Sequence, residues 1–285
     1  KKFFIMPYLQ PFDPWKSSLC TCPPKYSLNP YTGCGHRCLY CYATSFIKDF
    51  YRPRLKKNFL KIIEMELTKI PEGSLISLSN SSDPYQPLEG IYKHTKKFLE
   101  LLTEKNFKIL IITKSDLVLR DLDLLKKLRC TVSITITSKT FFSKLEPGAP
   151  DYKRRLEAVK VLSQEGIPVS VRLDPIIPGI NEKEILEIFD EIAPYAKHVT
   201  VSTYKAKLDS LKRLVYAFPE KQTLWKTLYL KIGKKIGNAI YLEDKIRYEI
   251  LYPLYKKAKN YGISFATCRE ALKEFENPKR CDGSF

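Results

Sequence analysis

Cys34, Cys38 and Cys41 fall at the spacing C-x3-C-x2-C within Asn29-Pro-Tyr-Thr-Gly-Cys-Gly-His-Arg-Cys-Leu-Tyr-Cys-Tyr-Ala43, a run that Pro30, Gly33 and Gly35 mark as a loop. Thiolates are the ligands of iron–sulfur clusters, and three of them hold three irons of a [4Fe–4S] cluster while the fourth iron stays open. The alternative is zinc, but structural zinc sites more often use paired C-x2-C elements and four ligands in all. An odd, incomplete set favours a cluster that binds a further molecule.

Four other cysteines raise a second metal question: Cys20 and Cys22 just ahead of the loop, and Cys268 with Cys281 in the tail. If the tail folds back beside the N-terminal segment, they supply four thiolates, a set that suits structural zinc or an auxiliary iron–sulfur cluster. Buried thiols or a disulfide are the alternatives. The eighth, Cys130, opens an apolar strand, a usual place for a buried thiol. His36, His94 and His198 share no metal-ligand spacing; exposed or capping positions are expected for them, with no catalytic role.

The chain has 285 residues, 44% of them hydrophobic and 28% charged, which suits a globular protein. No apolar run approaches the ~18 residues that cross a bilayer, and the basic-then-apolar opening Lys1–Tyr8 is too short for a signal peptide. A reducing, cytoplasmic location without membrane association is expected. Net charge is +18, which favours a polyanionic partner. Residues 197–259 hold 15 Lys or Arg against 5 Asp or Glu, interleaved with Tyr204, Tyr216, Phe218, Trp225, Tyr229, Tyr241, Tyr248, Tyr252 and Tyr255. Cations attract phosphates and aromatic faces stack bases, so DNA or RNA is the expected partner; a helical face with core aromatics is the competing expectation.

The elements that must position these residues alternate. Strand patterns at 75–79, 108–113, 130–136, 168–173 and 198–202, with one leading into Cys34, are separated by helical patterns near 55–69, 88–105, 117–128, 150–165 and 182–193. Repeated βα units of this kind predict an α/β fold with a parallel sheet under helices, its site at the C-terminal ends of the strands. Residues 1–28 are rich in proline and read as an extended surface lead-in. Residues 29–203 form the repeating unit. Residues 204–285 read as a basic helical extension packed on it, with helices near 205–217 and 244–261 and a Gly-Asn turn at 237–238.

The cysteine loop, with Tyr40 before its last cysteine, resembles the signature of the radical S-adenosylmethionine (radical SAM) superfamily. The resemblance implies a partial (β/α)6 TIM-like barrel, a [4Fe–4S] cluster chelated by SAM, a 5′-deoxyadenosyl radical that abstracts hydrogen, and an electron donor such as ferredoxin or flavodoxin. Ser82-Asp-Pro-Tyr-Gln-Pro87, Thr113-Lys-Ser115, Leu145-Glu-Pro-Gly-Ala-Pro150 and Asp174-Pro-Ile-Ile-Pro-Gly-Ile-Asn181 further resemble the spore photoproduct lyase-like branch. That likeness implies that Tyr40, Ser79 and Asn80 lie near the adenine and methionine amino group of SAM, that Lys114 and Thr135 contact its carboxylate or ribose, and that Arg172 and Asp174 pair or bind a polar cofactor group. The branch's lyase uses a cysteine hydrogen donor before its Ser-Asp; Asn80 stands at that position and has no weak X–H bond to give. Tyr85, Tyr42 or Cys130 are candidates for relaying hydrogen instead.

A radical SAM enzyme that repairs or modifies a nucleic-acid base is the first functional expectation. Radical chemistry on a peptide or small metabolite is the second, and a non-enzymatic iron–sulfur or zinc nucleic-acid-binding module the third.

Overall fold

Apolar runs too short for helices become strands, and helices at regular intervals make the connections between them cross over and run parallel. The computed structural model describes residues 7–12, 19–272, 274–275 and 278–284; the chain's first six residues and Pro14, part of the expected lead-in, lie outside them. Eight strands pair in the order Leu9–Pro11, Tyr26–Leu28, Leu75–Leu78, Lys108–Thr113, Arg129–Thr135, Val169–Ile176, His198–Thr203 and Ser264–Thr267. The first pair is antiparallel. All later pairs are parallel. The two edge strands do not pair with each other, so the barrel is partial.

Side chains alternate across this sheet. Val132, Ile134, Val169, Val171, Val199 and Val201 face the main apolar core beneath the helices, while Ser133, Ser170, His198 and Thr200 are buried on the opposite, inner face. The helix Tyr152–Gln164 starts where the Asp151 carboxylate accepts the Arg154 N–H at 2.9 Å. The expected helix at 88–105 is broken into Pro87–Tyr92 and His94–Leu102 by Lys93 in a left-handed conformation. The 117–128 pattern becomes a 3-10 segment, Asp116–Asp121, and one α-turn, Leu122–Leu125.

Both chain ends depart from expectation. The lead-in contributes two strands to the main sheet. The extension has the expected helices, Leu208–Ala217 and Asp244–Tyr261, and the Gly237-Asn238 turn, but that turn closes a hairpin between Lys234–Ile236 and Ala239–Tyr241. Its strand Ser264–Thr267 also adds to the His198–Thr203 edge, because an unpaired edge offers a row of ready hydrogen bonds to any extended segment that reaches it. A seventh parallel strand therefore follows the six that the sequence indicates.

A second apolar core joins extension to barrel. It contains Leu145, Ile177, Tyr204, Leu211, Leu214, Phe218, Trp225 and Tyr229, with Leu39 and Tyr40 of the cysteine loop packed against it. Of the nine aromatics considered for base stacking, Tyr204, Phe218, Trp225, Tyr229 and Tyr241 are buried, whereas Tyr216 is 91% exposed. The competing expectation, core aromatics, holds for those five. The histidines are not exposed either. His36 and His198 are buried, and the partly buried His94 stacks on Tyr31 and Phe59. Among the described residues no helix is long and apolar enough to cross a membrane.

Candidate active site

The cysteine loop is held from four directions. Its own turn is closed by Cys41 N–H to Cys38 O at 3.1 Å and Cys34 N–H to Phe50 O at 2.8 Å. From the loop after Leu75–Leu78, Gln86 donates to Gly33 O at 3.0 Å and accepts the Gly35 N–H at 2.8 Å, and Ser82 donates to Gly33 O at 2.6 Å. From the 145–150 loop, Leu145 O accepts Leu39 N–H at 2.9 Å and Gly148 N–H reaches His36 O at 3.0 Å. Gly148 must lack a side chain, since a Cβ there would stand 2.0 Å from Gly35 O. From the extension, Arg213 donates to Leu39 O at 2.9 Å, Cys41 O at 3.1 Å and Thr44 Oγ1 at 2.8 Å.

Asp83 is the hub of this lattice. Its carboxylate accepts from Tyr85 N–H at 2.8 Å, Thr113 Oγ1 at 2.7 Å and Lys114 N–H at 2.8 Å, and His36 Nε2 lies 3.2 Å away without the alignment of a hydrogen bond. Burial alone would raise this carboxyl; His36 and the hydrogen bonds outweigh it and hold Asp83 at about 2. Asn29 plays a parallel part, its side-chain oxygen accepting the N–H groups of Asn80, Ser81 and Ser82 at 3.2, 3.0 and 3.1 Å.

Several residues expected at the site do gather. The Tyr40 hydroxyl bonds to Glu146 and lies 3.2 Å from Thr137 Oγ1. Lys114 Nζ stands 5.8 Å above the Tyr40 ring and 4.0 Å from Glu146 Oε1, within electrostatic reach of Cys38 and Cys41. Burial would lower the Lys114 ammonium, but the Cys38 and Glu146 charges raise it above its ordinary value. Buried Glu146 is paired in turn with Arg155 at 2.5 Å. Arg172 donates to Asp174 at 2.9 Å and also bonds Cys268, and Ser202 donates to Asp174 at 2.5 Å. Tyr42 sits within electrostatic reach of Cys41, Cys268, Arg172 and Asp174. Thr135 ends its strand in register with Arg172 and accepts from Arg155 at 3.2 Å through its backbone oxygen.

Others take different places. Asn80 turns its side-chain amide onto Ser27 and the Ser77 carbonyl, presenting its own carbonyl to Tyr42. The neighbouring Ser79 holds φ +78, a strained conformation of the kind that clusters at functional sites. Cys130 stands at the N-terminal end of its strand, opposite the mouth, with its thiol on Leu125 O at 3.3 Å and pushed up to about 12 by burial. Tyr85 is buried in the main core, its hydroxyl donated to Asp121 at 3.0 Å. Neither geometry serves a hydrogen relay at the mouth: a donor must reach the open end of the barrel, and both groups point into packed interior.

The three thiols fit an iron–sulfur cluster. The amides of Asp83 and His36 point at Cys34 sulfur, and those of Ala43 and Thr44 at Cys41 sulfur; such hydrogen bonds tune cluster thiolates. Burial pushes Cys34 up to about 12 and raises Cys38 and Cys41, so thiolates at these positions call for a bound cation. Among the described residues no three His, Cys, Asp or Glu donors converge on a single ion. In a cluster each thiolate takes its own iron, so its ligands stand further apart than those of a single ion.

A profile of the radical SAM superfamily matches residues 28–192. An uncharacterized protein of Methanocaldococcus jannaschii is 30% identical over 234 residues, 77% of this chain and 87% of the relative. The radical SAM Nα-GlyT isomerase of Pseudomonas phage M6 is 25% identical over 256 residues, 85% of this chain; the chain spans only 53% of that protein. Among solved structures, a spore photoproduct lyase mutant with bound AdoMet and dinucleoside spore photoproduct superposes with a TM-score of 0.69 at 18% identity, covering 88% of this chain and 79% of the other. A profile that spans the cysteine loop and most of the barrel leaves one assignment: the chain belongs to the radical SAM superfamily, and it is an enzyme with the fold of spore photoproduct lyase.

Proposed function

We propose that this enzyme carries out radical chemistry on a nucleic-acid base, with Cys34, Cys38 and Cys41 as ligands of a [4Fe–4S] cluster that binds SAM. The observation that carries the reading is the Lys114, Tyr40 and Glu146 group beside the three thiols. When bound, cluster and SAM supply a 5′-deoxyadenosyl radical that abstracts hydrogen. Lys114 keeps its ammonium and offers a cation to the SAM carboxylate. Glu146 and Arg155 hold the Tyr40 edge of the site. Arg172, Asp174 and Ser202 present charge and hydroxyl on the far side for ribose or substrate.

The substrate class is supported by three facts. Net charge is +18, a related phage protein is named an Nα-GlyT isomerase, and a neighbour of the same fold holds a dinucleoside photoproduct. With five of the nine aromatics buried, electrostatics supplies most of the attraction, and Tyr216 and Tyr252 remain exposed for stacking. The reaction needs a one-electron donor such as ferredoxin or flavodoxin and a reducing compartment such as the cytoplasm, which suits eight cysteines with no disulfide between them.

The test is isotopic. Cluster-loaded protein given SAM, a strong reductant and deuterated DNA or RNA is expected to transfer deuterium into 5′-deoxyadenosine. Label arriving only from peptides or small metabolites would overturn the substrate class, and no 5′-deoxyadenosine with any substrate would overturn the radical reading.

A further inference from the structure

A second set of thiols brings the lead-in and the tail together. Cys22 Sγ and Cys281 Sγ are 3.7 Å apart, although 259 residues separate them in sequence. Cys20 is hydrogen-bonded to Cys22, and the Thr21 hydroxyl donates to Cys281. Cys268 follows the last strand, where its N–H reaches Val201 O at 2.8 Å, and it lies within electrostatic reach of Cys281.

The surrounding lattice is built to hold these ends together. The Cys281 carbonyl accepts from His198 Nε2 and Thr200 Oγ1, each at 3.2 Å, on the inner face of the sheet. Gly283 packs so tightly there that a Cβ would stand 2.8 Å from both Ser170 Cβ and His198 Cδ2. Beside it Lys25 and Asp282 form an ion pair with only 2% of each side chain exposed. The tail thus inserts into the barrel and brings its cysteine to those of the lead-in.

The sulfur separation excludes a disulfide. A disulfide requires about 2.05 Å between sulfurs and would employ two of the four thiols. Two thiolates on one tetrahedral metal, with bonds of ~2.3 Å, stand about 3.8 Å apart. The 3.7 Å of Cys22 and Cys281, a hydrogen bond between the two thiols here, is also the spacing of the second case.

We propose that Cys20, Cys22, Cys268 and Cys281 form a second metal centre, a tetrahedral thiolate site for a single zinc ion, which fastens the lead-in to the tail. Cys22 and Cys281 already stand at ligand spacing. Since no three donors among the described residues converge on a single ion, Cys20 and Cys268 complete the set by rotating their side chains inward. Each thiol releases its proton on binding, with no change of oxidation state and no co-reactant. Lys25 and Arg172 supply neighbouring positive charge, and Arg172 remains a hydrogen-bond donor to the Cys268 sulfur, as outer partners of metal thiolates do.

Metal and acid-labile sulfide counts on anaerobically purified and reconstituted full-length protein test this directly. A single [4Fe–4S] cluster accounts for about four irons. The expected result is about one further zinc per chain, whereas roughly twice that iron and sulfide, the mark of an auxiliary cluster, would overturn the single-ion site. The zinc should vanish in Cys22→Ser while the iron of the first cluster stays. If that variant fails to fold, alkylation of the native protein serves instead: all four cysteines should be protected until the metal is chelated. A count of four irons without zinc, four rapidly alkylated thiols, or a Cys22–Cys281 disulfide mapped in anaerobic protein would each overturn the proposal.

Discussion

His36 Nε2 stands 3.2 Å from Asp83 Oδ2, an ion-pair distance that ties the cysteine loop to the loop after the Leu75–Leu78 strand. The same carboxylate serves three further donors, so one side chain sets the relative position of three segments. Asp83→Ala should cost roughly 3–5 kcal/mol, because it strands buried donors and a buried partner. Asp83→Asn keeps an acceptor and should cost about 1–3 kcal/mol. Urea denaturation of the two variants checks the order; equal losses would mean that the charge contributes nothing.

Arg213 links the extension to two carbonyls of the cysteine loop. Arg213→Ala should lower stability by roughly 1–3 kcal/mol and speed the loss of cluster absorbance on exposure to chelator. Arg213→Lys should behave nearly as badly, since a single ammonium cannot span carbonyls that the guanidinium fork reaches together. Retention of wild-type cluster lifetime in both variants would place the loop's support elsewhere.

Gly148→Ala drives a methyl group to 2.0 Å from the Gly35 carbonyl, backbone against backbone. Relief requires the two loops to part. The expected penalty is at least the roughly 1–3 kcal/mol of ordinary overpacking, with reduced iron loading. A thermal midpoint unchanged from wild type would show that the loops separate freely.

His198 carries a pH dependence. Burial lowers it from 6.5 to about 4 despite its hydrogen bond to Cys281 O. Below its unfolded pKa the unfolded chain takes up a proton that the folded chain refuses. The stabilisation from keeping it neutral is therefore complete above about 6.5 and declines as pH falls toward 4, by about 3 kcal/mol in all. Urea midpoints across that interval should drop in wild type and flatten in His198→Asn. Parallel curves for the two proteins would assign the slope to other groups.

The elements were legible where their signals are local. The apolar strand runs, the helix Asp244–Tyr261 and the turn at Gly237-Asn238 all follow from patterns within a few residues of each other. The strand Ser264–Thr267 was not, because four residues carry too little periodicity and its pairing depends on an edge more than sixty residues away. Glu146 was missed as a site residue for a related reason: in a Pro-Gly loop it reads as solvated, and only packing shows it buried against Tyr40, Lys114 and Arg155. Arg213 likewise reads as a surface charge on an amphipathic helix.

Cys34, Cys38 and Cys41 needed no fold to declare their chemistry, because ligand type and spacing along eight residues are properties of the chain itself. The sequence by itself likewise determined the alternation that makes a parallel sheet. Only the tertiary structure decided that Tyr204, Trp225 and Tyr229 are core rather than stacking surface, that Asp83 joins three segments, and that Cys22 meets Cys281. Those contacts join residues remote in the chain, and which side of a helix or loop becomes interior is settled by what packs against it.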